Sequence, residues 1–348
     1  MYRIYNIQSL RGIAAILVVF SHLLIIEQKY GGTNSILPEL SRFGVFGVDI
    51  FFVISGFIMV TITKGKFQSF KEMSRFISHR AARIYPIYWF YSLLVLLVFL
   101  IYPELVNSSQ GNQVDILSSF LLIPSETLPL LAVGWTLIHE VYFYMVFSLI
   151  LLIVNEKKLV YALLFWGVGI VIFNLFFKPS SPFITLITHP LTLEFIAGCL
   201  LAVFYFKNKI QVNSSTLFLF IALTLIASLY LFSSDIGANG LTPQGWMRPL
   251  ILGIPAVLIV YFLLIAENNN LVFSKIFVTL GNASYSIYLS HILTLSVIGR
   301  VWDIFNSNSI IDNWIMIPVM FVLTCVAGVA SYFWIEIPLS NKIFKKNY

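Results

Sequence analysis

Charge is scarce in this sequence. Asp, Glu, Lys and Arg make up 10% of its 348 residues, against 59% hydrophobic and 16% aromatic residues. With a mean hydropathy of +0.91, there is too little polar surface to coat a water-soluble globule, and the chain reads as an integral membrane protein. Cysteine is nearly missing as well. Cys199 and Cys325 each sit inside an apolar run, with no CxxC or Cys/His spacing, so neither a disulfide framework nor a metal site is expected. The first apolar run lacks a small-residue cleavage site and is followed by many more, which makes it a retained helix and not a signal peptide. Solenoid-period repeats, low-complexity tracts and a soluble domain are lacking too, leaving one membrane domain over 1–348.

What is there in quantity is apolar runs of about twenty residues, the length that crosses a bilayer as helix. Ten are legible, near 10–27, 44–63, 84–102, 134–154, 158–177, 185–206, 214–232, 248–266, 276–297 and 314–335. The apolar stretch 116–131 is broken by Pro124 and Pro129 and reads as a re-entrant or interfacial piece. The fold class is therefore all-α, a polytopic membrane helix bundle of about ten spans. With both termini placed in the cytoplasm, 16 of the 21 Lys and Arg fall in inner segments, as the positive-inside rule requires. The formal charge of +6 is thereby explained by orientation, with no need of a nucleic-acid partner.

Few polar residues interrupt the spans, and each is costly in hydrocarbon. In the first span, Arg11 and His22 are eleven positions apart, which returns them to within about 20° of one helix face, roughly 16 Å apart along the axis. Asp49 opens the second span, and its helical spacing from Gly56 lets a carboxylate and a close-approach glycine face helix one. His139 and Glu140 lie near the start of the fourth span in GWTLIHE, Glu194 in the sixth, and Ser284, Tyr288 and His291 at i, i+4 and i+7 in the ninth. On the topology above, these groups from five spans share one layer toward the outer face. Individually, His139, Tyr288 and Glu194 are read first as helix-to-helix hydrogen-bond partners. Asp49 as a structural partner of His22, Glu140 as a residue of the helix start and His291 as a second structural histidine stand level with functional roles. His22 is read as functional, because Arg11 on its face and Asp49 at its depth supply orienting charges for a base.

The most basic segment is the inner loop KGKFQSFKEMSRFISHRAARIYP. It suits a topogenic, lipid-surface stretch or an anion site; the cluster His79, Arg80 and Arg83 just before Tyr85-Pro86 favours the latter, since two arginines one turn apart can grip a phosphate.

Taken in order, Arg11 to His22, GVDIFFVISGF at 47–57, RAARIYP at 80–86, WTLIHE at 135–140 and SYSIYLSH at 284–291 resemble the acyltransferase-3 family of bacterial membrane acyltransferases. The resemblance covers most of the chain and is nearest to exopolysaccharide or lipopolysaccharide O-acetyltransferases, without the SGNH-type domain fused to some members. It implies a multi-pass protein of the bacterial cytoplasmic (inner) membrane that moves an acyl group, most often acetyl, from cytoplasmic acyl-CoA to a carbohydrate hydroxyl at the outer face. The donor acyl-CoA, the carbohydrate acceptor and the lipid bilayer are then its partners, with no metal. By motif, Arg11 and His22 match the family's essential pair, and Arg80 and Arg83 its cytoplasmic arginine motif. Thr136 stands where the family more often has serine, and keeps the hydroxyl.

On this reading His22 is the base and Asp49 or Glu140 stabilises its imidazolium, with an acyl-histidine intermediate as a variant. Arg80 and Arg83, with Arg11, hold the donor. His291, Tyr288, Trp135 and Glu194 meet the acceptor or line the site. The acceptor would meet the outer loop 233–246, although Trp246 there also suits an interfacial anchor. A secondary transporter or flippase, with the same groups relaying protons, is the alternative, and an accessory subunit without chemistry is a third.

Overall fold

A segment that enters hydrocarbon must satisfy its own backbone N–H and C=O groups, and the α-helix is how a single segment does so. A computed structural model describes residues 4–32, 35–208, 212–239, 242–305 and 310–344, and among them the chain is helical and without strands. Of the basic residues counted above, Arg3, Lys209, Lys345 and Lys346 lie outside the described residues, as do residues 240 and 241 of the 233–246 loop. The helices are α1 (Tyr5–Tyr30), α2 (Phe46–Thr63), α3 (Phe70–Ile101), α4 (Ile116–Leu121), α5 (Gly134–Ile153), α6 (Leu159–Phe176), α7 (Pro182–Ile187), α8 (Thr192–Lys207), α9 (Ser214–Asn239), α10 (Ile254–Asn268), α11 (Lys275–Phe305), α12 (Ile310–Ser331) and α13 (Ile337–Phe344). Among the described residues, ten helical stretches are long and apolar enough to cross a membrane, and they match the ten expected spans one to one.

Two local differences from the sequence reading have clear causes. The basic segment expected as a loop before residue 84 is helical from Phe70, because Ser69 caps α3 by accepting from Glu72 N and Glu72 then receives Arg75 at 3.0 Å. Ser69 and Glu72 have the S-x-x-E spacing of a capping box. Pro86 sits inside α3, costing one backbone bond without ending the helix. The sixth span, expected unbroken over 185–206, is two helices, α7 and α8. Pro190 has no N–H to continue the ladder, and in the gap His189 Nδ1 accepts from Leu191 N at 3.2 Å.

The stretch 116–131 is the short helix α4 followed by non-helical chain, capped at its start by Asp115, which accepts from Ser118 N at 2.9 Å. The two bonds from Ser118 hold the exposed Asp115 carboxyl below its ordinary pKa. At the other end of α4, three side chains of α3 donate to successive carbonyls: Tyr88 to Ser119 (2.7 Å), Trp89 to Phe120 (2.9 Å) and Tyr85 to Leu121 (3.1 Å). The unpaired C-terminal carbonyls of a helix too short to stand alone are thereby satisfied.

The chain divides into two compact units. The first comprises Met1–Phe51, Gln211–Gln244 and Leu258–Pro338. Its centre is α1, which packs backbone to backbone on two sides. A Cβ on Gly44 or Gly47 would overlap the carbonyl oxygens of Leu17 and Ala14, and one on Gly281 of α11 would overlap that of Gln8. Small residues permit such approach where lipid offers no hydrophobic drive to associate. Polar clamps hold both ends of α1. Glu267 accepts from Tyr5 N (2.7 Å) and Asn6 N (2.8 Å), a carboxylate on the positive end of the helix. Near the other end, buried Glu27 accepts from Ser35 Oγ (2.8 Å), Ile36 N (2.7 Å), Leu37 N (3.0 Å) and Asn313 Nδ2 (2.9 Å).

The second unit comprises Phe52–Ile210, Gly245–Val257 and Leu339–Tyr348. Here α2 and α8 cross through reciprocal glycines: a Cβ on Gly56 would overlap the Phe195 carbonyl, and one on Gly198 that of Val53. Gly56 thus serves α8; the glycines of the second span that face helix one are Gly44 and Gly47. Cys199, next to Gly198, is fully buried and donates to the Gly56 carbonyl at 3.2 Å.

Because Gly281 leaves no room for a side chain, Gly281→Val is expected to cost at least about 1–3 kcal/mol of stability, the range for forced overpacking. Thermal unfolding of the purified variant in detergent measures it; an unchanged midpoint would contradict the close α1–α11 contact.

Candidate active site

In the first unit, α1 and α11 place two histidines together. The His22 and His291 rings meet edge to face, with centroids 4.9 Å apart. Both rings are oriented by their own helices: His22 Nδ1 lies 2.8 Å from the Val18 carbonyl oxygen, and His291 Nδ1 lies 2.6 Å from that of Tyr288. A carbonyl only accepts, so each Nδ1 carries the hydrogen and each Nε2 presents a lone pair. His291 is fully buried, and its Nε2 has no hydrogen-bond partner among the described residues. His22 is half-buried. The pair is therefore two oriented acceptors side by side, which can take a proton from a hydroxyl or stabilise one held by the neighbour.

Around them, Tyr288 is buried with its ring 5.7 Å from His291 and 6.0 Å from Phe51. Asp49 is fully buried on α2. Two turns before His291, buried Ser284 Oγ has no hydrogen-bond partner among the described residues. Toward the start of α1, Arg11 is half-buried and donates to Gln8 Oε1 at 3.3 Å, while Gln8 Nε2 donates to Asn282 Oδ1 on α11 at 3.0 Å. The chain Arg11, Gln8, Asn282 fixes the guanidinium relative to the helix that carries His291.

The second unit holds the other expected residues. Glu140 of α5 accepts from Ser55 Oγ of α2 at 3.1 Å and from the Tyr144 hydroxyl, and Ser55 and Tyr144 are also 3.0 Å apart. The Arg80 guanidinium lies 5.9 Å from the centre of the Tyr144 ring, a cation–π contact, and within electrostatic reach of Glu140. Arg80 is half-buried, its Nε shielded and without a hydrogen-bond partner among the described residues, whereas Arg83 is exposed. Both lie on α3, one turn apart, in different surroundings.

Trp135 carries the Arg248 guanidinium 5.7 Å from its ring centre and meets His139 edge to face at 5.9 Å. Buried Glu194 lies against Gly253, where a Cβ would come within 3.0 Å of its carboxylate; Gly253 ends the π turn Pro249–Gly253.

Five residues of these networks went unmarked in the sequence. Ser55 is next to Gly56 and Tyr144 is one turn from Glu140, and no spacing rule singles out a serine or tyrosine in an apolar helix. Gln8 and Asn282 bridge segments 274 residues apart. Glu27, at the edge of an apolar run, reads as an end residue. The Ser55, Glu140 and Tyr144 bonds form one network, so its members are expected to be non-additive. A cycle of Ser55→Ala, Tyr144→Phe and the double variant, read by thermal unfolding, should give a coupling of about 0.5–3 kcal/mol; strict additivity would mean that the three groups do not act together.

Comparison with known proteins agrees with this architecture. The profile of the acyltransferase domain family (acyltransferase 3) matches residues 4–333. The chain is 32% identical over 276 residues to "Exopolysaccharide production protein ExoZ" of Rhizobium meliloti (strain 1021), covering 74% of this chain and 78% of that protein. It is 28% identical over 309 residues to "Putative acetyltransferase ORF330" of Acidianus two-tailed virus, covering 85% of this chain and 84% of that one. No solved structure matches. With the profile running through both units and ten helices among the described residues apt to cross a bilayer, the chain is a multi-pass membrane protein of the acyltransferase-3 family.

Proposed function

We propose that this protein transfers an acyl group, acetyl in the first instance, from acyl-CoA to a hydroxyl of an exported or cell-surface carbohydrate. The relative named for exopolysaccharide production supports the acceptor class. The balance of Lys and Arg between segments supports a topology with both termini and the acyl-CoA side in the cytoplasm of a bacterial inner membrane.

The observation that carries the chemistry is the His22–His291 pair, with each Nδ1–H held by a backbone carbonyl and each Nε2 left as an acceptor. In the proposed reaction, His22 Nε2 takes the proton of the attacking hydroxyl as its oxygen bonds to the thioester carbonyl carbon. The tetrahedral adduct then collapses, the C–S bond breaks, and the thiolate leaves with the proton returned by the imidazolium, giving an O-acyl sugar and free CoA. His291 shares the positive charge while His22 holds the proton, and Asp49 is the buried carboxylate assigned to the same task.

Arg80 and Arg83 are assigned to the donor phosphates, with Arg11 on the donor side. For Arg80 the support is its half-buried guanidinium with a shielded, unspent Nε; for Arg83 it is an exposed guanidinium one turn on. Glu140, tied to Ser55 and Tyr144, then orients Arg80 more directly than it serves a histidine.

A positioned base contributes about 10²–10⁴ in rate, so His22→Ala should lose that much acceptor-dependent CoA release in vesicles supplied with acetyl-CoA. The readout is free thiol, alongside acetyl ester on the polysaccharide of cells carrying the variant. Release unchanged in a folded His22→Ala protein would refute the assignment. Arg80→Ala is expected instead to raise the KM for acetyl-CoA more than it lowers kcat.

A further inference from the structure

A cavity of about 460 Å³ in the second unit is lined by none of the residues assigned above to base and donor. It is formed by the non-helical chain after α4, the segment leading into α7, and the first turns of α5. Its size is in the range of small-molecule sites. Trp135, His139, His189, Thr127, Gln110 and Glu126 line it.

The hydrogen-bonding state of these residues is specific. His189 Nδ1 is spent accepting from Leu191 N, so in the neutral ring Nε2 carries the hydrogen and donates. Gln110 Oε1 is spent accepting from Leu128 N at 2.8 Å, which leaves its NH₂ to donate. His139 Nδ1 and Thr127 Oγ1 are shielded from solvent and have no hydrogen-bond partner among the described residues. Glu126 is exposed and adds a carboxylate. The two imidazoles meet edge to face at 4.7 Å, and His139 in turn meets Trp135.

Two shielded polar atoms without partners in one concavity are a cost that a ligand rich in both donors and acceptors removes. A single hydroxyl supplies both, and vicinal hydroxyls supply several in a row. An aromatic wall of Trp135 with two imidazoles suits the C–H face of a sugar ring. The lining carries one carboxylate, Glu126, and no lysine or arginine, and the Arg248 guanidinium rests 5.7 Å from the Trp135 ring centre; with opposite charges both near the cavity, a neutral ligand suits it better than a phosphate. We propose that this cavity binds a neutral carbohydrate unit, with Trp135 as its stacking wall and Thr127, His139, His189 and Gln110 as its hydroxyl partners. It would serve as the seat of the acceptor, in place of the 233–246 loop. The choice of carbohydrate over other polyols rests on the acyl-transfer reading.

The test uses the full-length protein in nanodiscs and saturation-transfer NMR with methyl glycosides of glucose, galactose, mannose and N-acetylglucosamine as probes, and acetate and inorganic phosphate as controls. Saturable binding of at least one glycoside is expected, weakened about tenfold by His189→Phe and by Trp135→Ala, as for loss of one good contact. Thr127→Val, which keeps the side-chain volume, is the second variant should either of these fail to fold. Binding should persist in His22→Ala. Absence of saturable binding by all four glycosides, equal binding in the folded variants, or preference for the anions would overturn the proposal. Loss of acetyl transfer in all proteins alongside intact, variant-sensitive glycoside binding would count against the acyl-transfer reading and leave the cavity standing.

Discussion

The contact of two backbones at Gly12 and Gly281 is the constraint on which the first unit depends. A Cβ on Gly12 would come within 2.7 Å of Gly281 N, so α1 and α11 touch with nothing between them. Their register then continues unchanged: His22 meets His291, and Tyr30 meets Gly299, each partner 269 positions further along the chain, as for Gly12 and Gly281. Only two parallel helices with equal rise keep one offset over this length. From the glycine contact to the histidine contact is ten residues on each helix, about 15 Å. The imidazole pair is therefore placed by packing far from the imidazoles, and the glycines belong to its geometry as much as Val18 and Tyr288 do.

Three glutamates, Glu27 buried and Glu140 and Glu267 half-buried, show how the protein meets the cost of charge in an apolar medium. Glu27 spends both oxygens on a loop and on Asn313; Glu267 spends both on the first amides of α1. Glu140 ties α2 to α5 through Ser55 and Tyr144. Each joins segments distant in sequence, and each is satisfied by donors that hydrocarbon cannot supply. Against that background the unspent groups stand out: His291 Nε2, Arg80 Nε and His139 Nδ1 are shielded polar atoms without hydrogen-bond partners among the described residues. Each of those three groups is assigned a functional role above, whereas Glu27 and Glu267 are assigned to holding α1.

Much of this was legible before folding. Ten spans follow from hydropathy and length because the medium enforces a minimum apolar run. The shared face of Arg11 and His22 follows from helical periodicity alone. The capping box at Ser69 and Glu72 was equally readable, and missing it turned the start of α3 into a loop. His189 was hidden because the break at Pro190 lay inside an otherwise apolar run. Gly56 was assigned to the wrong neighbour because spacing shows which face a glycine occupies and is silent on what crosses there.

By itself, the sequence determined class, span number and the residues too costly to be incidental, since burial of charge in hydrocarbon is penalised whatever the arrangement. It could not determine which of those residues meet. That required the register between α1 and α11, set by glycines 269 positions apart, and the crossing of α2 with α8, set by two more. Such contacts depend on three-dimensional closeness between helices whose sequences carry no mark of each other. Hence the His22–His291 pair, the Ser55–Glu140–Tyr144 network and the cavity beside His139 and His189 were decided by the tertiary structure alone.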